Sequence, residues 1–297
     1  MNSITDYRSE TTTSKVLQAL FIELIFEAKS HIPAVLTQND DEELHQYRVA
    51  LRKMHSILHE FSNCMDRDIY GLLKLELKAM ISPTNELRDM DVFLENMEAY
   101  RAMLQPKYKK NITQVENRLK KARGKSFDGV KLFVRSPEYM DILSVVNDLT
   151  KEDKFYNSCS LNPIDKVLAN RIDKRYKTIR AEAKKLTKHD DPKTFHKLRI
   201  SVKKLRYLVD TFAHLFDQKA YTKVAKRLKS FQTRLGRLQD IHIQIRHVAN
   251  DMKPEDEAAK LLLAILESER KKSLKKVFKA IERFNDRSFA KRLNALL

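Results

Sequence analysis

Leu44-His45-Gln46-Tyr47-Arg48-Val49-Ala50-Leu51-Arg52-Lys53-Met54-His55 has a second version further along the chain, Phe195-His196-Lys197-Leu198-Arg199-Ile200-Ser201-Val202-Lys203-Lys204-Leu205-Arg206. The two are separated by 151 residues (196 − 45 = 151). The same offset carries Phe61 to Phe212, Tyr70 to Tyr221, Lys78 to Lys229, and Leu87-Arg88-Asp89 to Leu238-Gln239-Asp240. Unrelated segments rarely keep one ungapped offset over roughly 45 positions, so the chain reads as an internal duplication.

On a helix of about 100° per residue, set His45 at zero. Arg52 then falls at about −20°, Arg48 at about −60° and His55 at about −80°. Ala50, Met54, Ile57, Leu58 and Phe61 fall on the opposite side, between about 120° and about 220°. One face is made to enter a core, and the other presents a row of cations and imidazoles. The second copy sets His196, Arg199, Lys203 and Arg206 at the same angles, with Tyr207 at about 20°. A basic face opposite an apolar one also describes an ordinary solvated helix. Three features argue otherwise. Neither row is interrupted by a carboxylate, whereas solvated faces mix signs. The row is duplicated with its histidine kept. Further cations recur too: Lys78 with Lys229, and, at an offset of 150 (271 − 121 = 150), Lys121 and Lys125 with Lys271 and Lys275.

Composition bounds the rest. The chain has 297 residues, 42% of them hydrophobic, with only 4 Gly and 7 Pro, too few turn residues for a β protein of this length. Formal net charge is +18. That excess favours polyanionic partners: nucleic acid, anionic membrane or inorganic polyphosphate. The two cysteines, Cys64 and Cys159, have no metal-type spacing and are expected to be reduced thiols of a cytoplasmic protein. The most apolar run, Val16 to Phe26, contains Glu23 and is too short to span a bilayer.

The expected organisation is all-α. Residues 1–11 read as a disordered leader. A first helical-bundle repeat covers 12–149, a linker 150–163, and a second repeat 164–297, each repeat resembling a four-helix bundle. Pro33 is expected to kink or end the first helix. Gln38-Asn39-Asp40-Asp41 supplies a turn and N-cap. The row of cations lies on a helix from about 42 to 61. Ser82-Pro83 restarts a helix, and Gln105-Pro106 breaks it. The helical region 107–149 is expected to be interrupted near Gly124 to Gly129 and at Ser136-Pro137. In the second half, Asp190-Asp191-Pro192 provides an N-cap with Pro at the first helical position. Helices near 219–235 and 237–251 follow, then Pro254 and a last region from 256 to 296. Two such repeats tend to pack about a pseudo-two-fold axis. The facing rows would then wall a basic groove suited to a linear polyanion, with Arg forks and Lys charges on phosphate oxygens.

His-x-x-Arg-Val/Ile-x-x-x-Arg/Lys-Lys, with Leu87-Arg88-Asp89-Met90-Asp91-Val92 downstream, resembles the CHAD family, the conserved histidine α-helical domain. The second copy, with Lys203-Lys204-Leu205-Arg206-Tyr207 and Leu235-Gly236-Arg237-Leu238-Gln239-Asp240, is similar. The resemblance implies two helical bundles around a basic groove that binds inorganic polyphosphate, without catalysis. Some members are linked to triphosphate-tunnel (CYTH) phosphohydrolases, and others sit on polyphosphate granules. The candidate polyphosphate-binding residues, taken from the duplicated rows and the recurring offsets, are His45, Arg48, Arg52, Lys53, His55, Lys78, Lys121 and Lys125 in the first copy. In the second they are His196, Arg199, Lys203, Lys204, Arg206, Tyr207, Lys229, Lys271 and Lys275. The chain departs from the pattern at His55, where a basic residue is usual. It also has Asn85 for the glycine seen at Gly236, and His242 for the acid seen at Asp91. Asp89 and Asp240 read as structural, orienting arginines of neighbouring helices.

Glu267-Ser268-Glu269-Arg270-Lys271 spells the Glu-x-Glu-x-Lys of the tunnel phosphohydrolases, but its surroundings have helical spacing. On a helix the two glutamates point about 200° apart and cannot share a metal. No phosphate loop, metal cluster or nucleophile triad is legible, so no cofactor and no enzyme activity are expected. The competing functions are that of a regulatory partner of a CYTH-type phosphohydrolase, and binding to the phosphate backbone of RNA or DNA, which bases stacked on aromatic rings would strengthen. There is no Trp, and most Phe and Tyr occupy apolar helix positions.

Overall fold

The computed structural model describes residues 11–37, 41–103, 109–251 and 257–296. Over these residues the chain is all-α; the β contacts are two single bridges, Thr12 to Pro163 and Met65 to Tyr156. The helices are α1 (Thr13–Thr37), α2 (Asp41–Glu60), α3 (Arg67–Ile81), α4 (Asn85–Ala102), α5 (Lys109–Val134) and α6 (Pro137–Leu149), then α7 (Ile164–Lys185), α8 (Pro192–Thr211), α9 (Gln218–Asp251), α10 (Glu257–Asn285) and α11 (Arg287–Asn294). The first and last residues of α2 and α8 keep the offset of the repeated stretch (192 − 41 = 211 − 60). The expected leader lies outside the described residues except for Thr11. The expected turn at Gln38 to Asp40 and the breaks at Gln105-Pro106 and Pro254 fall outside them too.

Local chemistry explains several boundaries. Asp191 caps α8 by accepting the Lys193 N–H at 2.7 Å, with Pro192 at the first helical position. Ser136 caps α6 in the same way through the Tyr139 N–H, ahead of Pro137. Each such cap stabilises its helix by roughly 1 kcal/mol. Ser82-Pro83-Thr84 forms a 3-10 turn between α3 and α4. Its counterpart in the second half lies inside α9, which runs unbroken for 34 residues.

Two boundary expectations, at Gly124 to Gly129 and at Gly236, need correction, and two others are made more definite. Pro33 does not end α1, which continues to Thr37. Only the bond to Lys29 is lost, Lys29 is exposed, and the Thr37 hydroxyl donates to the Pro33 carbonyl at 2.8 Å. Neither Gly124 nor Gly129 interrupts α5, and Gly236 does not divide α9. A single glycine costs a helix about 1 kcal/mol, less than buried faces on either side return. Conversely the last region is two helices, because Asp286 accepts the Ser288 N–H and starts α11.

The apolar faces merge across the halves. One cluster joins Phe21 of α1 and Met54 of α2 to Leu168 of α7, Leu205 of α8 and Phe284 of α10. A second joins Phe93 and Tyr100 of α4 and Ile112 of α5 to Ile241 and Val248 of α9 and Leu262 of α10. Phe61 and Phe212, equivalent positions of the two copies, touch each other with ring centroids 5.8 Å apart. Burying each ring fully contributes roughly 1.5–3 kcal/mol. The segment 150–163 is built into this core, with Phe155 fully buried against Phe21.

Candidate functional site

Turning apolar residues inward on α2 and α8 leaves the opposite faces of both helices looking into one cleft of about 1110 Å³. His45, Arg48 and Arg52 come from α2, and His196, Arg199, Lys203, Arg206 and Tyr207 from α8. Eight of the residues singled out in the sequence therefore converge.

Arg48 is only 4% exposed. Its guanidinium donates to Thr84 Oγ1 and, at 3.0 Å, to Asn85 Oδ1. Arg52 donates to the same Asn85 oxygen at 3.0 Å. Thr84 at the end of the turn between α3 and α4, and Asn85 at the start of α4, thus hold both cations of the first wall. Burial, and then the charge of Arg52, lower the Arg48 guanidinium to about 9, which leaves it cationic at neutral pH. Burial also lowers Arg52, opposed by Tyr207 and reinforced by Arg199.

Lys203 is the most burdened cation. Burial first, then Arg52, Arg199, Arg48 and Arg206, hold its ammonium well below its ordinary value. Its nitrogen sits 5.1 Å from the centre of the Tyr207 ring. Among the described residues no carboxylate lies within ion-pair distance of Arg52, Arg199 or Lys203. Arg206 does have one, Asp210 at 2.8 Å. Burial raises Tyr207, so its hydroxyl stays protonated. Burial, helped by Arg88, lowers His45 and keeps that ring neutral at pH 7.

Asp89 and Asp240, expected to serve the fold, also line the cleft. Burial pushes Asp240 up to about 6 against the pull of Arg199 and Arg237, and raises Asp89 against Arg48. Four buried polar atoms in the cleft walls have no hydrogen-bond partner: His196 Nδ1, Arg199 Nε, Gln232 Oε1 and His242 Nδ1.

The other nine residues singled out do not line the cleft. His55 is half-buried among His59, Lys204, Lys74 and Lys203, and burial first, with those charges, lowers it to about 4. Lys204 is half-buried near Arg175, Glu60 and Lys74, and Lys53 is half-buried beside the cleft residues of α2. Lys78, Lys121, Lys125, Lys229, Lys271 and Lys275 are exposed on α3, α5, α9 and α10.

The cleft also contains cations to which the duplicated rows do not point: Arg88 of α4, Lys193 of α8, Arg246 of α9 and Arg270 of α10. Gln232, Gln239 and Arg246 follow one another every seven residues, so an uninterrupted α9 aligns them on one face. Arg270 is paired with Glu267 at 2.7 Å, inside the helix that the Glu-x-Glu-x-Lys run is expected to form. Among the described residues no three His, Cys, Asp or Glu side chains gather as metal ligands, and no helix is long and apolar enough to cross a membrane.

A search of curated proteins gives no match. Solved structures do resemble the chain. The CHAD domain from the plant Ricinus communis superposes with a TM-score of 0.76 at 17% identity, covering 93% of each chain. PptA from Streptomyces chartreusis superposes with a TM-score of 0.72 at 16% identity, covering 92% of this chain and 99% of that one. At such identities the likeness speaks for the fold. The sequence model of the CHAD domain matches residues 19–249, most of the chain, and with it the chain belongs to the CHAD domain family.

Proposed function

We propose that this protein binds inorganic polyphosphate in the cleft between α2 and α8, as a non-catalytic scaffold or targeting protein of the cytoplasm or of polyphosphate granules. CHAD domains are associated in general with polyphosphate. The observation that carries the reading for this chain is the environment of Lys203. It is half-buried among Arg48, Arg52, Arg199 and Arg206, with no carboxylate among the described residues in ion-pair distance. Like charges held together in a desolvated site destabilise the empty protein. A linear polyanion removes that strain along the whole row at once, and its oxygens accept from Arg199 Nε and the imidazoles. Each charge-assisted contact contributes roughly 1.5–3 kcal/mol, less when summed.

Nucleic-acid backbone is the competing ligand. Tyr207 is the one Tyr, Phe or Trp among the described residues lining the cleft, and its ring already faces Lys203. A cleft without free stacking platforms favours a chain without bases. Thermal shift with long-chain polyphosphate, beside single-stranded RNA at equal phosphate concentration, tests this. A native-state ligand raises Tm by mass action. A rise with polyphosphate that exceeds the rise with RNA supports the proposal. A larger rise with RNA moves the function to nucleic acid, and no rise with either removes it.

A further inference from the structure

Cys64 and Cys159 are the only cysteines of the chain, and folding brings them together from 95 residues apart (159 − 64 = 95). Cys64 ends the 3-10 turn Ser62–Cys64 after α2 and is fully buried; Cys159 lies in the turn Ser158–Leu161 and is half-exposed. The two turns are locked in register. The Asn157 N–H donates to the Cys64 carbonyl at 3.2 Å, and the Asn157 side-chain amide donates to the carbonyls of Asn63 and Met65 at 2.9 and 3.0 Å. Both sulfurs meet one side chain. The Asn63 amide donates to Cys159 Sγ at 3.6 Å, and the Cys64 thiol donates to Asn63 Oδ1 at 3.9 Å. Asn63 thus bridges the two sulfurs, and Arg171 Nη2 donates to Cys64 Sγ at 3.3 Å.

We propose that Cys64 and Cys159 form a two-thiol site at which a peroxide oxidises the pair to an intramolecular disulfide, tying the segment between the halves to the end of α2. This stands independently of the cleft. An inert buried cysteine has no second thiol beside it; here a resolving partner and a cation are both in place. The half-exposed Cys159 sulfur attacks the peroxide O–O bond. It becomes a sulfenic acid, and the other oxygen leaves as water. The Cys64 sulfur, its thiolate stabilised by Arg171, then attacks the Cys159 sulfur. The sulfenic hydroxyl takes a proton and leaves as a second water. Two thiols and one hydrogen peroxide give one disulfide and two waters, the sulfurs losing two electrons to the peroxide oxygens. Burial pushes the Cys64 thiol up to about 11, so the second step accelerates as pH rises. In a reducing compartment the dithiol is the resting state, and a thiol reductant restores it.

The test treats the full chain with stoichiometric hydrogen peroxide. Expected are the loss of both titratable thiols, a mass lower by two hydrogens with no disulfide link between chains, and a Cys64–Cys159 linked peptide in the non-reducing map. Closure of the second step should speed up about tenfold per pH unit between about pH 7 and 9. The oxidised chain should melt several degrees higher than the reduced one, a gain absent in Cys159→Ser. Sulfinic or sulfonic acid at Cys159 with Cys64 still a thiol, or dimers linked through Cys159, would overturn the proposal. The peptide map of the unmutated chain decides even if the serine variant folds poorly.

Discussion

Lys203 and Asp240 carry opposite strains in the same cleft, and each makes a separable prediction. Removing the Lys203 charge should help the empty protein and harm binding. Lys203→Met is expected to raise Tm by roughly 2–4 °C without ligand, the shift that about 1 kcal/mol gives a chain of a few hundred residues. The same variant should show a smaller polyphosphate-induced rise. A variant that melts lower and binds normally would make Lys203 a structural residue. Asp240 has its folded value, about 6, above its unfolded one. Between the two values the folded state holds more protons than the unfolded state. Stability from this group therefore declines as pH rises through that window. Polyanion affinity should grow as pH falls from about 7.5 to about 5.5, because protonation removes a negative charge beside Arg199. Asp240→Asn should bind more tightly above that window and depend less on pH; an unchanged profile in calorimetric titrations would assign the effect to the histidines.

At the scale of the element, the continuity of α9 decides what can be read from sequence. The rows on α2 and α8 are legible because strict helical spacing opposite an apolar face fixes which side each cation takes, and eight of those residues share the cleft. Arg246 is hidden when α9 is divided at Gly236, because the division breaks the seven-residue alignment that leads to it. Lys78, Lys229 and the lysines of α5 and α10 stand out by their offset alone, and an offset says nothing about which way a helix face points. Gly236 is in an ordinary helical environment. An added Cβ would lie 3.9 Å from Arg199 Nε, a normal contact. Gly236→Ala should then stabilise α9 by up to about 1 kcal/mol and leave binding intact; loss of polyphosphate binding would show that Arg199 needs that space. The double variant Arg199→Glu/Lys203→Glu should abolish binding with helix content preserved by circular dichroism, and retained binding would put the site elsewhere.

At the scale of the molecule, both apolar clusters draw on both halves, so unfolding should be one transition rather than two. Calorimetry is expected to give a single endotherm, and Phe61→Ala, which strips the ring from its contact with Phe212, to lower stability by about 3–5 kcal/mol. Two resolved endotherms would mean that the halves fold alone. Polyphosphate affinity should fall linearly with salt on logarithmic axes, by roughly 0.7 per phosphate engaged if the ligand behaves as a single strand. A mechanical asymmetry follows from the two walls. On one side α9 is a rod of about 50 Å at about 1.5 Å per residue, threaded through both clusters. On the other, the same stretch is jointed at Ser82–Thr84, and Thr84 of that joint with Asn85 at the start of α4 holds Arg48 and Arg52. Any adjustment to the girth of a ligand is therefore expected at the α3–α4 elbow and not along α9, and hydrogen exchange with and without polyphosphate would locate it.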